Sequence, residues 1–190
     1  MRHVFRTIPL LALLWSGCES PTANESQLST GALGFSRGVE HAATGGGHYS
    51  LQNTFDTKFA FSAIAHGDGT VSGNFHQKLE LEGESVDFRG RVTCLAFDPA
   101  NNRAWVGGVI VANNSTHPSF QQSFHEPGHD VWFRVVDYGE GAAAAPDRTT
   151  FLGFENTPGI PTSEFYCNLQ PWPDDDARTW PVTNGNIQVR

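Results

Sequence analysis

The chain has 190 residues, a formal net charge of −8 and only two lysines, Lys58 and Lys78. No basic stripe or patch is present, which excludes nucleic acid as an expected partner and polybasic attachment to anionic lipid as an expected anchor. The length suits one domain with a short lead-in, and 20 glycines with 14 phenylalanines suggest many turns around an aromatic core.

Residues 1–17 begin with Arg2 and Arg6, continue with a short apolar run from Ile8 to Trp15, and end on Ser16 and Gly17. That order predicts an export signal peptide. The apolar run falls short of the roughly 20 residues a spanning helix needs, and Pro9 interrupts it. Ser16-Gly17-Cys18 resembles the lipobox of bacterial lipoproteins, in which a small residue precedes an acylated cysteine. Trp15 stands where that family prefers Leu or a similar aliphatic, with Leu14 one place earlier. The resemblance implies that Cys18 becomes a lipidated N-terminus, holding the protein at a membrane surface in the cell envelope. Glu19 after the cysteine implies the outer membrane, if the source has two. An ordinary secretory signal with a spare thiol is the alternative. Three cysteines make an odd count for an exported chain. Lipidation of Cys18 leaves Cys94 and Cys167 to pair in an oxidising compartment, with two separate buried thiols as the other reading.

Residues 18–43 are rich in Ser, Thr, Ala, Gly and Asn and read as a flexible tether. The folded domain is expected over 44–190, starting near Thr44-Gly45-Gly46-Gly47. Period-two alternation then dominates. It places Phe59, Phe61, Ala63 and Ala65 on one side of 58–66, and Val71, Gly73, Phe75, Leu79 and Leu81 on one face of 70–82. In 85–97 the expected buried face is Val86, Phe88, Gly90, Val92, Cys94 and Ala96. Residues 103–112 are apolar on both faces, 130–137 alternate through Val131, Phe133 and Val135, and Phe165, Cys167 and Leu169 make a further alternating set. Turns at Gly67-Asp68-Gly69, Glu82-Gly83-Glu84 and 98–102 join the first four strands as hairpins. The fold expected is an all-β antiparallel meander, closed into a barrel of about eight strands by pairing of Gly46–Leu51 with Gly185–Val189. A two-sheet β-sandwich is the alternative. Thr44-Gly45-Gly46-Gly47, Val92-Thr93-Cys94-Leu95, Val136-Asp137-Tyr138-Gly139-Glu140-Gly141 with Pro146-Asp147, and Gly185-Asn186-Ile187-Gln188-Val189, in that order, resemble a set of uncharacterised secreted bacterial β-domains. The resemblance implies no activity.

His125-Glu126-Pro127-Gly128-His129 matches the H-E-x-x-H string of zinc proteases. That chemistry needs a helix to place both imidazoles on one face, and Pro127 and Gly128 oppose helix formation. A loop zinc site using His125, His129 and His117 remains as an expectation to test. Asp137, Glu140 and Asp147 could hold calcium around a Gly/Ala loop, as could the Asp174-Asp175-Asp176 run. No G-x-S-x-G elbow or P-loop occurs, so no catalytic residue is assigned. Leu95 and Phe97 fall on the supposedly wet face of their strand, with Trp105, Val109 and Trp132 on the same side. These five are the candidate ligand or partner surface, unless the 113–128 loop with Phe120 and Phe124 folds over them. The function expected is a non-enzymatic, envelope-anchored domain binding a small apolar ligand or a protein partner. A structural spacer or coat lipoprotein is the second reading. A hydrolase with a loop-borne metal is the third.

Overall fold

The computed structural model describes residues 38–141, 143–173 and 178–190. The leader, Cys18 and the Asp174-Asp175-Asp176 run lie outside them. Alternating sequence becomes alternating structure over most of the chain. Strands β1 (Val39–Leu51), β2 (Phe55–His66), β3 (Val71–Leu81), β4 (Glu84–Asp98), β5 (Arg103–Asn113) and β6 (Asp130–Val136) form an antiparallel meander. Two short pieces, β7 (Arg148–Thr149) and β8 (Gly153–Phe154), both pair with β6 and act as one interrupted strand. The last strand, β9 (Trp180–Val189), pairs with β7 and returns to β1. The pairings therefore close in a ring.

The closure is where the glycine-rich segments predict it. Gly45, Gly46 and Gly47 pair with Ile187, Asn186 and Gly185. Glycine is required there: Gly47 has φ 147°, and a Cβ on it would stand 2.1 Å from the Asn184 carbonyl. A Cβ on Gly185, at φ 136°, would stand 2.0 Å from the Gly46 carbonyl. The strand itself starts earlier than Thr44. Val39 to Ala43, which the sequence assigns to the tether, already belong to β1, and Ala43 is completely buried. Small residues look like linker in a sequence, yet small residues are also what a tight closure admits.

The ring is filled. Tyr49, Phe59, Phe61, Phe75, Phe88 and Phe133 are all buried, and Phe61 and Phe75 each meet Phe133 edge-on, at 5.2 and 5.8 Å. The Tyr49 hydroxyl donates to Gln77 Oε1 (3.2 Å), which gives two of the buried polar side chains a partner. The 113–128 segment folds over the core beside Phe88 and Phe154, bringing Phe120, Phe124 and His125 with it.

Two single-residue bulges change the phase of the strands. Val92 pairs with Gly108 but Cys94 pairs with Gly107, so Thr93 is the extra residue in β4. Beyond it the alternation inverts. Leu95 and Phe97 turn inward against the main core, while Cys94 and Ala96 turn outward. The expected buried face of β4 is thus correct through Val92 and reversed afterwards. A second shift, between Arg89 and Gly90 opposite 110–112, leaves Val111 standing out into solvent.

One expected strand is a helix. Ser163–Leu169 forms α1, whose N-cap Thr162 accepts from the Phe165 N–H (3.1 Å). Glu164 lies in the first turn, where a negative charge suits the helix dipole, and Gln170 ends it in the left-handed region. Phe165 and Leu169 are exposed, whereas Tyr166 and Cys167 are buried. The helix packs on β4, β5 and β6 outside the ring, and the disulfide Cys94–Cys167, with Cα atoms 6.2 Å apart, fastens it. No helix among the described residues is long and apolar enough to cross a membrane.

Candidate functional site

The outward faces of β5 and β6 explain why 103–112 is apolar on both sides. Trp105 and Trp132 point away from the ring and pack with Ile160 and Tyr166 in a second, smaller cluster. Their cover is α1 and its flanks. The 113–128 loop, expected to lie there, instead folds over the main core. Gly107 permits the close approach, since a Cβ on it would meet Cys94 Sγ at 2.5 Å and the Ser163 Cβ at 2.9 Å. Asp130, at the start of β6, accepts hydrogen bonds from both the backbone N–H and the hydroxyl of Ser163, which seats the helix.

Where this layer meets the main core, aromatic groups line a groove of about 360 Å³. Trp132 and Tyr166 stack at its floor with ring centroids 5.6 Å apart. Trp172, from the segment after α1, and Trp180, from the start of β9, form walls. The Arg178 guanidinium sits 4.3 Å over the Trp172 ring, a cation–π contact that steadies it. Gly153 lets the Trp132 indole edge reach the groove, because a Cβ there would stand 2.3 Å from Nε1.

The hydrogen bonding of the four indoles separates them. Trp105 Nε1 donates to the Pro171 carbonyl at 2.9 Å and is satisfied. Among the described residues, the Nε1 groups of Trp132, Trp172 and Trp180 make no hydrogen bond. Trp132 is only 3% exposed, but its Nε1 keeps some contact with solvent. A ligand that displaces this solvent must offer an acceptor in its place, or the donor is left unpaired at a cost. Burial also raises the Tyr166 phenol far above its ordinary range. The site can therefore offer flat apolar surface together with hydrogen-bond donors.

Of the five residues expected to form the surface patch, Trp132 alone lines this groove. Trp105 is buried beneath the layer, Leu95 and Phe97 pack toward the main core, and Val109 is half-buried. Trp172, Trp180 and Tyr166 are not singled out by patterning. Their signal is local: Pro171-Trp172-Pro173 and Trp180-Pro181 put tryptophans beside rigid prolines, where a ring is held out from the backbone.

The histidine zinc expectation fails on geometry. His125 ends a 3-10 turn, Ser123–His125, and its ring is buried against Phe124 (4.3 Å) and Phe154 (4.4 Å). Burial lowers its pKa to about 4. His129 instead bonds Glu155 Oε2 through Nδ1 (2.9 Å), which raises its pKa. Pro127-Gly128 ends any helix, so the two imidazoles do not converge. No group of three or more His, Cys, Asp or Glu side chains among the described residues could hold a metal ion.

Asp137 and Asp147 have another employment. Beyond its contact with β7, β9 presents an open edge. Asp147 accepts from the N–H groups of Ile187 (2.7 Å) and Tyr138 (2.9 Å), and Asp137 accepts from Val189 (3.0 Å) and Gly139 (2.7 Å). Glu140 accepts from the side chains of Asn186 and Gln188. These carboxylates stand in for a neighbouring strand. A Ser–His contact exists at Ser72 and His66 (2.8 Å), but His66 Nδ1 is buried without a partner, so nothing orients the ring as a triad requires. No protein-family model, no curated protein and no solved structure matches this chain.

Proposed function

We propose that this chain is an exported, surface-tethered binding domain that acts without catalysis, and that the aromatic groove is its ligand surface. The observation that carries the reading is a groove lined by Trp132, Trp172 and Trp180, whose indole N–H groups make no hydrogen bond among the described residues. A filled ring favours an outer site over an apolar ligand held inside. The Cys94–Cys167 disulfide is consistent with export, and the leader with Cys18 as lipid anchor supplies the tether in this reading. A structural spacer would account for the filled ring and the capped edge. It would give no reason for three tryptophans with unbonded N–H groups lining one groove.

A thermal-shift and tryptophan-fluorescence screen against glycans, lipids and peptides tests the reading. A ligand should raise the melting temperature, and Trp172→Ala should abolish that rise. Silence across the panel, or shifts unaffected by Trp172→Ala, would contradict it.

A further inference from the structure

We infer that the groove takes a pyranose unit of a glycan. The inference rests on the groove being the ligand surface and adds the chemistry of the ligand. Indole N–H groups donate and accept nothing, so a partner that displaces solvent from them must bring acceptors. It must also bring flat apolar surface, because Trp172, Trp180, Phe151 and the edge of Trp132 line the groove. A hydrocarbon chain fills such walls but leaves the Trp132 donor unpaired. A peptide has carbonyl acceptors, yet it brings backbone N–H groups that meet no acceptor on an indole.

A sugar ring meets both demands. Its axial C–H bonds carry partial positive charge and rest on the negative face of an aromatic ring. Its hydroxyl and ring oxygens lie around the rim in the same plane and accept from donors at the edges. Hydroxyls rotate, so each can accept from an indole and donate elsewhere. The groove volume, about 360 Å³, lies at the small end of the range of roughly 300–1,000 Å³ for small-molecule sites. That size suits one or a few rings of a longer chain. The Thr157 hydroxyl, also lining the groove and without a hydrogen bond among the described residues, adds a group that can donate or accept.

The test is calorimetric titration of the full exported chain with chitohexaose, cellohexaose and mannohexaose, beside dodecylphosphocholine and an unstructured acidic peptide. At least one oligosaccharide should bind, with affinity falling about tenfold or more in Trp172→Ala. Trp132→Phe keeps a ring on the floor and removes only the donor, so it should weaken the same sugar about fivefold without loss of folding. Sugar binding unchanged in both variants would overturn the inference. Binding of the amphiphile or peptide alone, lost in Trp172→Ala, would overturn the sugar assignment and leave the groove as the ligand surface. No binding of any probe would overturn both.

Discussion

Replacing Asp147 by Ala isolates the carboxylate that covers the open edge of β9. Asp147 is 6% exposed and accepts from two backbone N–H groups. Ile187 is completely buried, so its N–H cannot turn to water when the acceptor goes. Leaving such a donor unpaired costs about 1–3 kcal/mol. Tyr138 is 39% exposed, and water replaces most of its lost bond. Some gain offsets the cost: burial, and the nearby Asp137 and Glu140, raise the Asp147 pKa, so holding it ionised is itself unfavourable. The net expectation is about 2 kcal/mol of destabilisation. With a urea slope of about 2 kcal/mol per molar, the midpoint falls by about 1 M. Hydrogen exchange at Ile187 should quicken far more than exchange in β3. Millimolar calcium should leave the wild-type midpoint where it is, because both oxygens of Asp147 already hold N–H groups. A variant within 0.5 kcal/mol of wild type, with Ile187 still protected, would refute the edge-capping role.

Other perturbations probe the remaining devices. The disulfide closes a separation of 73 residues, so chain-entropy reasoning gives it about 4 kcal/mol. Its reduction should lower the melting temperature and red-shift tryptophan emission as α1 loosens from Trp105 and Trp132; full reduction with unchanged emission would contradict the fastening. The buried His125 has a folded pKa of about 4, below its ordinary value near 6.5. The fold favours the neutral ring, so its contribution is complete above that ordinary value and is lost as pH falls toward 4, on the order of 3 kcal/mol. The raised Asp147 pKa acts in the opposite direction, so the comparison is with His125→Leu, which should flatten the stability curve between those pH values. An equally steep curve in the variant would assign the acid sensitivity elsewhere. Gly47→Ala forces a Cβ against the Asn184 carbonyl and should cost about 2 kcal/mol or more, read as a fall in melting temperature. A substitution without effect would show the closure to be looser than described.

The strands were legible in the sequence wherever one face is wet and the other apolar. The β2, β3 and early β4 patterns needed no tertiary information. The closing pair was legible too, because three successive glycines beside a strand mark close backbone approach. What sequence could not show is the bulge at Thr93. Val92-Thr93-Cys94-Leu95 alternates without a break, and one extra residue reverses every side chain after it. That reversal turned Leu95 and Phe97 from an expected surface patch into core. Phe165, Cys167 and Leu169 alternate as well, but the Thr162 cap and the packing of Tyr166 on Trp132 decide for a helix. Seven residues are too few for a helical stripe to declare itself. Asp137 and Asp147 read as ion ligands because a sequence shows acceptors without their donors; the donors that cap β9 are its own N–H groups, 40 and 52 residues away. The groove draws on β6, β8, α1 and β9, so no local window contains it.

The central claim is that the unpartnered indole donors of the groove-lining tryptophans receive the ligand. The most direct measurement follows the indole N–H resonances of the folded domain during titration with the oligosaccharide that binds best. The signals of Trp132, Trp172 and Trp180 should move, with downfield shifts as their protons find acceptors. That of Trp105, already bonded to the Pro171 carbonyl, should stay in place. Saturating ligand with all four signals unmoved would contradict the account.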